Sequence, residues 1–217
     1  MSKFNDSENK IVMPANTMLN PVPAIMVSCS HKDFNEGRPN IITIAWAGTI
    51  CSDPPMLSIS IRKSRLSHEI VSASGEFVVN LVSRNLLKAC DFCGVRSGRD
   101  YDKFQECHLT SIPADSLSSA PAIAESPVSI SCKVAGVYEL GAHDLFMARI
   151  ESVTVNAELM DEKGRLCLEN AELVAYSHGH YYELGDVLGF FGYSVASPKA
   201  LKRRLDEMNR NHKKKSG

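Results

Sequence analysis

Residues 56–62, MLSISIR, alternate apolar and polar side chains without a break. Leu57, Ile59 and Ile61 fall on one face; Ser58, Ser60 and Arg62 fall on the other. Such a period of two belongs to an extended strand with one face buried. The same pattern recurs in 77–82, where Phe77, Val79 and Leu81 oppose Val78, Asn80 and Val82. It recurs in 21–28, through Val22, Ile25 and Val27, and in 127–140, through Val128, Ile130, Cys132 and Val134. Residues 143–158 alternate too, but parity switches between Ile150 and Val153, which predicts a β-bulge. Residues 41–49 are apolar on both faces and read as a central strand. Long, bent strands of this kind suit a barrel, so the expected class is mainly β, a β-barrel with a few helices.

Two short helices are expected between the strands: 67–74, with Ser67 as N-cap, and 83–93. Residues 97–119 are rich in loop residues. Ser197-Pro198 opens a C-terminal helix whose apolar stripe is Leu201, Leu205 and Met208. The 217 residues suffice for one substantial core. The expected organisation is a loose segment at 1–13, one barrel domain at 14–198, and a basic helix and tail at 199–217.

Charge is unevenly placed. From Lys199 onward there are eight Lys/Arg against two Asp/Glu, leaving sixteen against twenty-three in the rest. An acidic body repels a phosphate backbone, so no nucleic acid is expected as a partner. The Lys213-Lys214-Lys215 end reads as a solvated extension. No apolar run reaches the ~18 residues of a membrane span, so no membrane partner is expected. The opening MSKFNDSENKIVM holds no apolar signal core. The expected compartment is therefore cytoplasmic, with the seven cysteines as reduced thiols.

The chemistry concentrates in 38–69. Arg62, Lys63, Ser64, Arg65, Ser67 and His68 sit where a strand ends and a helix begins. Clustered cations repel unless an anion lies among them. A helix N-terminus adds free N–H groups and a positive dipole end. Arg grips phosphate through paired hydrogen bonds, and serines add donors. The alternative is an exposed charged turn. Trp46, the single Trp, lies among small and hydroxyl residues: Thr43, Ala45, Ala47, Gly48 and Thr49. A lone Trp is ordinarily a core anchor. Small neighbours would instead let a flat ring approach the backbone. A phosphorylated heterocycle accounts for both halves.

Asn40-Ile41-Ile42-Thr43-Ile44-Ala45-Trp46-Ala47-Gly48 resembles the first FMN-contacting strand of the flavin reductase-like, or flavoredoxin-type, split-barrel proteins. Asp53-Pro54-Pro55, Ser60-Ile61-Arg62-Lys63-Ser64-Arg65 and Phe77-Val78-Val79-Asn80-Leu81 follow in that family's order. His143-Asp144-Leu145-Phe146 and Gly189-Phe190-Phe191-Gly192-Tyr193-Ser194 complete a resemblance that spans roughly 15–198. It implies a Greek-key split β-barrel, a homodimer, and FMN near the dimer interface. By position, Thr43, Ala45, Trp46, Ala47, Gly48 and Thr49 would line the ring and ribityl part, with Asn40 beside them. Arg62, Lys63, Ser64, Arg65 and Ser67 would hold the phosphate, and Asn80 would reach the flavin edge. His143 would orient the flavin or a nicotinamide, against the alternative of a structural His. The implied activity is a NAD(P)H-dependent flavin reductase passing electrons to free flavin or a redox partner. The rivals are an FMN electron carrier without a nicotinamide site and a non-catalytic flavin-binding module. The segment 176–193 and the loop 101–104 would shape the donor pocket.

Cys90-Asp91-Phe92-Cys93, with Cys107 and His108, has the residue types of a zinc site or a redox pair. A helical location and the adjacency of Cys107 to His108 argue against zinc. His178-Gly179-His180 reads as a turn, and no metal is expected.

Overall fold

The computed structural model describes residues 10–204. The strands are β1 (Val22–Pro23), β2 (Ile25–Cys29), β3 (Asn40–Ile44), β4 (Ala47–Ser52), β5 (Pro55–Arg62), β6 (Glu76–Leu81), β7 (Ser111–Pro113), β8 (Pro121–Ile123), β9 (Val128–Glu139), β10 (His143–Val155), β11 (Val174–Ser177) and β12 (His180–Glu183). The helices are α1 (Leu66–Ser74), α2 (Leu87–Val95) and α3 (Lys103–Glu106).

Seven strands form one antiparallel sheet in the order β3-β2-β6-β9-β10-β5-β4. Its two edges, β3 and β4, are separated in the chain only by Ala45 and Trp46. A flat seven-stranded sheet would set those edges about 29 Å apart. Three backbone steps reach at most ~11 Å. The sheet therefore curls until its edges meet, and the Ser60 N–H, donating to the Trp46 carbonyl at 2.9 Å, carries the β4–β5 pairing into the bend. The expected mainly β barrel is what forms.

Closure corrects the expectation of one central strand over 41–49. That segment is two edge strands joined by a bend. Its two-sided apolarity has another cause. Ile42 and Ile44 face the barrel interior, whereas Ile41 faces outward into a second cluster with Cys90, Cys93 and Phe104. Helices α2 and α3 cover that outer face, with Ile123 of β8 and Val174 of β11 in the same cluster.

The interior holds the alternating residues of every strand: Ile25 and Val27, Leu57, Ile59 and Ile61, Phe77 and Val79, Phe146 and Ala148. Leu66, Ile70 and Val71 of α1 join them. Full burial of such a side chain contributes about 1.5–3 kcal/mol. The β9–β10 pairing shifts register between Ile150 and Ser152, where the parity switch predicts a bulge, and also between Met147 and Ala148.

The helix α1 begins one residue early, with Arg65 at the N-cap position and no side-chain cap. Ser67 lies inside the helix, 1% exposed. Its hydroxyl is bound to Asn40, so it is not a cap. A 3₁₀ turn at Arg84–Leu86 replaces the start of the second expected helix. A short sheet, β1-β11-β12, stands beside the barrel.

Residues from Leu184 onward form a separate compact unit. In it the Ser197 hydroxyl accepts from the Ala200 N–H at 3.3 Å, opening a helix over 198–204. Leu205, Met208 and Lys213-Lys214-Lys215 lie outside the described residues.

Candidate functional site

Two cavities lie where β3 meets the ends of β5, α1 and α2, and they share Ile42 and Arg65 in their walls. The larger, ≈ 440 Å³, runs along β3 and the bend. Ile42, Thr43, Ile44, Ala45 and Trp46 form one wall, Ser60, Ile61, Arg62 and His143 another. Asp91, Gly94 and Val95 of α2 and Tyr176, Gly179 and Tyr181 stand opposite. Its size is that of a small-molecule site.

Trp46 is 46% exposed, so the single Trp is no core anchor. The bend that closes the barrel turns it out of the core. Its ring centroid lies 4.6 Å from that of His143 at an interplanar angle of 43°. His143 pairs across the sheet with Arg62. Burial lowers the His143 pKa below the ordinary 6.5, and the Arg62 charge lowers it further. The ring is therefore neutral at pH 7, able both to donate and to accept. On the opposite wall the Tyr181 hydroxyl donates to Asp91 at 3.2 Å. Burial first, then neighbouring Cys90 and Asp91, keep that phenol protonated.

The smaller cavity, ≈ 80 Å³, holds the cations. Asn40, Ser64, Arg65 and Ser67 wall one side; Cys93, Arg96, Ser97, Gly98, Arg99 and Lys103 wall the other. A water takes about 30 Å³, so a group of phosphate size is accommodated. Asn40 is 2% exposed and donates from Nδ2 to the Ser67 Oγ at 2.8 Å. Its Oδ1 is buried without a partner. A Cβ at Gly98 would sit 2.1 Å from that Oδ1, so only glycine leaves it room. Lys103, 3% exposed, donates to the carbonyls of Ile41 at 2.7 Å and Cys93 at 2.8 Å. An ammonium has three donors, which leaves one for an occupant. Burial lowers the Lys103 pKa, and Arg65 adds to the effect. An anion in the cavity would relieve both. Arg99 binds Glu69 at 2.7 Å and the Ser64 carbonyl at 3.3 Å, fastening the 96–100 turn to α1.

Of the residues expected at the site, Asn40, Thr43, Ala45, Trp46, Arg62, Ser64, Arg65, Ser67 and His143 come together on these two cavities. The Thr43 hydroxyl is already engaged, donating to the Cys90 carbonyl. Other candidates lie elsewhere. Ala47 packs on the barrel core, and Gly48 and Thr49 pair with Ser58 and Leu57 along β4. Lys63 is bound by Glu139 at 2.6 Å and faces Asp144 at 3.4 Å. Asn80 is fully buried: it donates to Met26 and Ser28 and accepts from Ile123 and Ser129. Alternation placed it correctly opposite Phe77, but that outer face is covered.

Sequence reasoning missed Gly98, Arg96, Arg99 and Lys103. The run Arg96-Ser97-Gly98-Arg99 after an apolar helix carries a legible signal, a cationic glycine turn. Lys103 carries none; loop 101–104 supplies it to the small cavity, not to the large one. Among the described residues no group of three or more His, Cys, Asp or Glu is placed to hold a metal. None of their helices is long and apolar enough to cross a membrane.

Residues 18–185 match the model of the flavin reductase like domain. The chain belongs to that family. The flavoredoxin of Desulfovibrio vulgaris (Miyazaki F) is 30% identical, with a TM-score of 0.76 over 83% of this chain and 96% of that one. An uncharacterized protein of Archaeoglobus fulgidus is 31% identical over 58% of this chain and 71% of its own length. The FMN reductase (NADH) RutF of Methylorubrum extorquens is 24% identical over 52% of this chain and 54% of its own. At family level the protein is thus a flavin-related oxidoreductase or electron carrier with a split-barrel fold.

Proposed function

We propose that the protein binds FMN with its phosphate in the small cationic cavity and its ring in the large one. The observation that carries this reading is the junction: an open apolar groove and a cationic cradle, with Lys103 buried in it, meet at Ile42 and Arg65. The residues fit the group. Arg65, Lys103 and the Ser64 and Ser67 hydroxyls supply donors to an anion. Trp46 and the β3 backbone offer a flat wall, and neutral His143 stands at the ring's side. The orphaned Asn40 oxygen would accept from an occupant's hydroxyl.

FMN, when bound, supplies two-electron redox chemistry, and the protein's part is placement. The opposite wall of Asp91, Tyr176 and Tyr181 would seat an electron donor against it. The likeness to the FMN reductase (NADH) RutF supports a nicotinamide donor, so the activity we infer is NAD(P)H-dependent flavin reduction. The likeness to flavoredoxin supports a second reading, an electron carrier reduced by a protein partner. We also infer a homodimer, because Ile50 on β4, Val137 and Tyr138 on β9 and Val153 on β10 are left exposed.

The test is anaerobic titration with FMN, followed by mixing with NADH or NADPH in stopped flow. Tight binding and bleaching near ~450 nm support the reductase. Bleaching by dithionite alone selects the carrier, and absence of FMN binding removes both.

A further inference from the structure

Clustered cations repel unless an anion lies among them, and for part of the 62–68 cluster the chain supplies that anion itself. Asp144, the second residue of β10, is 5% exposed and lies on the face that carries Phe146 and Ala148 into the barrel interior. Its Oδ2 is 2.8 Å from His68 Nε2, and Lys63 Nζ stands 3.4 Å from its Oδ1. The His68 ring meets that of Phe146 edge-on, with centroids 5.3 Å apart. Lys63 and His68 are thus turned onto a carboxylate, whereas Arg65 and Ser67 line the small cavity. We propose that Asp144 is a positioning residue: by holding His68 it sets the first turn of α1 so that Arg65 and Ser67 face an anion in the small cavity.

The His68 N–H donates to the Arg65 carbonyl at 2.9 Å, so its backbone holds a cavity residue while its ring holds β10. Its neighbours tie the same turn elsewhere: the Ser67 hydroxyl accepts from Asn40 on β3, and the Glu69 carboxylate from Arg99. The Glu69–Arg99 anchor is exposed and contributes little. The Asp144 anchor is buried, and low dielectric strengthens it. Burial alone would raise the Asp144 pKa; the His68 hydrogen bond and Lys63 outweigh it and hold the carboxyl below its ordinary 3.8. An ionised carboxylate only accepts, so His68 Nε2 carries the proton between them. Stability is a weak reason for such a pair, since apolar replacements of buried ion pairs are often neutral or better. Alternation puts His143 on the other face of β10, against Trp46. One strand end therefore serves both cavities, His143 the large one directly and Asp144 the small one through His68.

The sign of the effect separates positioning from charge. A carboxylate near an anion cavity repels its occupant, so losing the charge alone would tighten binding. Losing the position weakens it.

The identity of the anion rests on the FMN reading above; the His68–Asp144 pair does not. The test titrates the full chain and its variants with FMN and with riboflavin, which lacks the phosphate. In Asp144→Asn, FMN affinity should fall about tenfold, the scale of one charged hydrogen bond, with riboflavin affinity unchanged. His68→Ala should do the same, and His68→Gln, which keeps a donor, should recover most of the loss. Equal losses for the two flavins would reduce the pair to a purely structural one and overturn the proposal. Tighter FMN binding in Asp144→Asn overturns it too. In proton NMR spectra a hydrogen-bonded His68 Nε2 proton should appear, vanish in His68→Ala and move upfield in Asp144→Asn; its absence from the unaltered protein overturns the pairing. Unaltered protein that binds FMN no better than riboflavin contradicts the phosphate reading instead, and the Nε2 signal still decides the pair.

Discussion

Asn40, Ser67 and Lys103 in the small cavity are each no more than 3% exposed, while Trp46 in the large one is 46% exposed. The small cavity is built of buried polar groups that hold one another, Asn40 to Ser67 and Lys103 to two carbonyls. In low dielectric each such bond is strong, and each loss leaves a buried group unpaired. The large cavity is built of rings and backbone with only Tyr181–Asp91 tied across its far wall. The comparison teaches a division of labour. In the proposed reading the cationic end would retain the ligand and the open aromatic end would let a second molecule approach.

Gly98→Ala attacks the small cavity most directly. A methyl 2.1 Å from the Asn40 oxygen forces backbone or Asn40 to move. FMN affinity should fall about 100-fold, from overpacking plus lost hydrogen bonds, as read by fluorescence titration. Retained affinity would break the comparison, because the small cavity would not be the retaining end. Arg65→Ala comes next. Losing a charged hydrogen bond of about 1.5–3 kcal/mol weakens FMN roughly 10- to 150-fold. Arg62→Ala, which lines the large cavity only and not the cationic one, should cost only about threefold, the scale of one solvated charge. Equal losses at the two arginines would place the phosphate between the cavities.

Trp46→Ala tests the open end. Loss of one ring contact is worth about 1 kcal/mol, so affinity falls roughly fivefold. The rate of flavin reduction by donor should fall further than affinity does. An affinity loss as large as that of Gly98→Ala would mean that the open end also retains. The smallest effect is a pH shift. His143 should titrate in NMR spectra with a midpoint below 6.5, because burial and Arg62 both disfavour its charged form. It is then neutral at every pH above 6.5 and gains its proton only as pH falls below that value. In Arg62→Ala the midpoint should move upward; an unmoved midpoint would assign the shift to burial alone.

Much of this was legible before any fold. The alternation of Leu57, Ile59 and Ile61 predicted β5, because period and one-sided burial are local facts. The switch between Ile150 and Val153 predicted a bulge for the same reason. The cluster at Ser64, Arg65 and Ser67 predicted that these side chains share one site, and they line one cavity, since residues adjacent in sequence stay adjacent in space. Residues 41–49 misled because apolar neighbours on both faces look alike whether strands or helices cover them. Asn80 misled because alternation assigns a face but not what packs on it.

Lys103 and Gly98 stand about sixty residues from Asn40 in the chain and touch its surroundings only because the sheet has curled and α2 and α3 have packed on β3. Strand period, turn chemistry and the cation cluster depend on neighbours along the chain, so the sequence by itself determined them. Which cations share a cavity and how far Trp46 stands exposed depend on closure of β3 onto the β4–β5 edge. That closure is a sum of many distant contacts, and only the tertiary structure decided it.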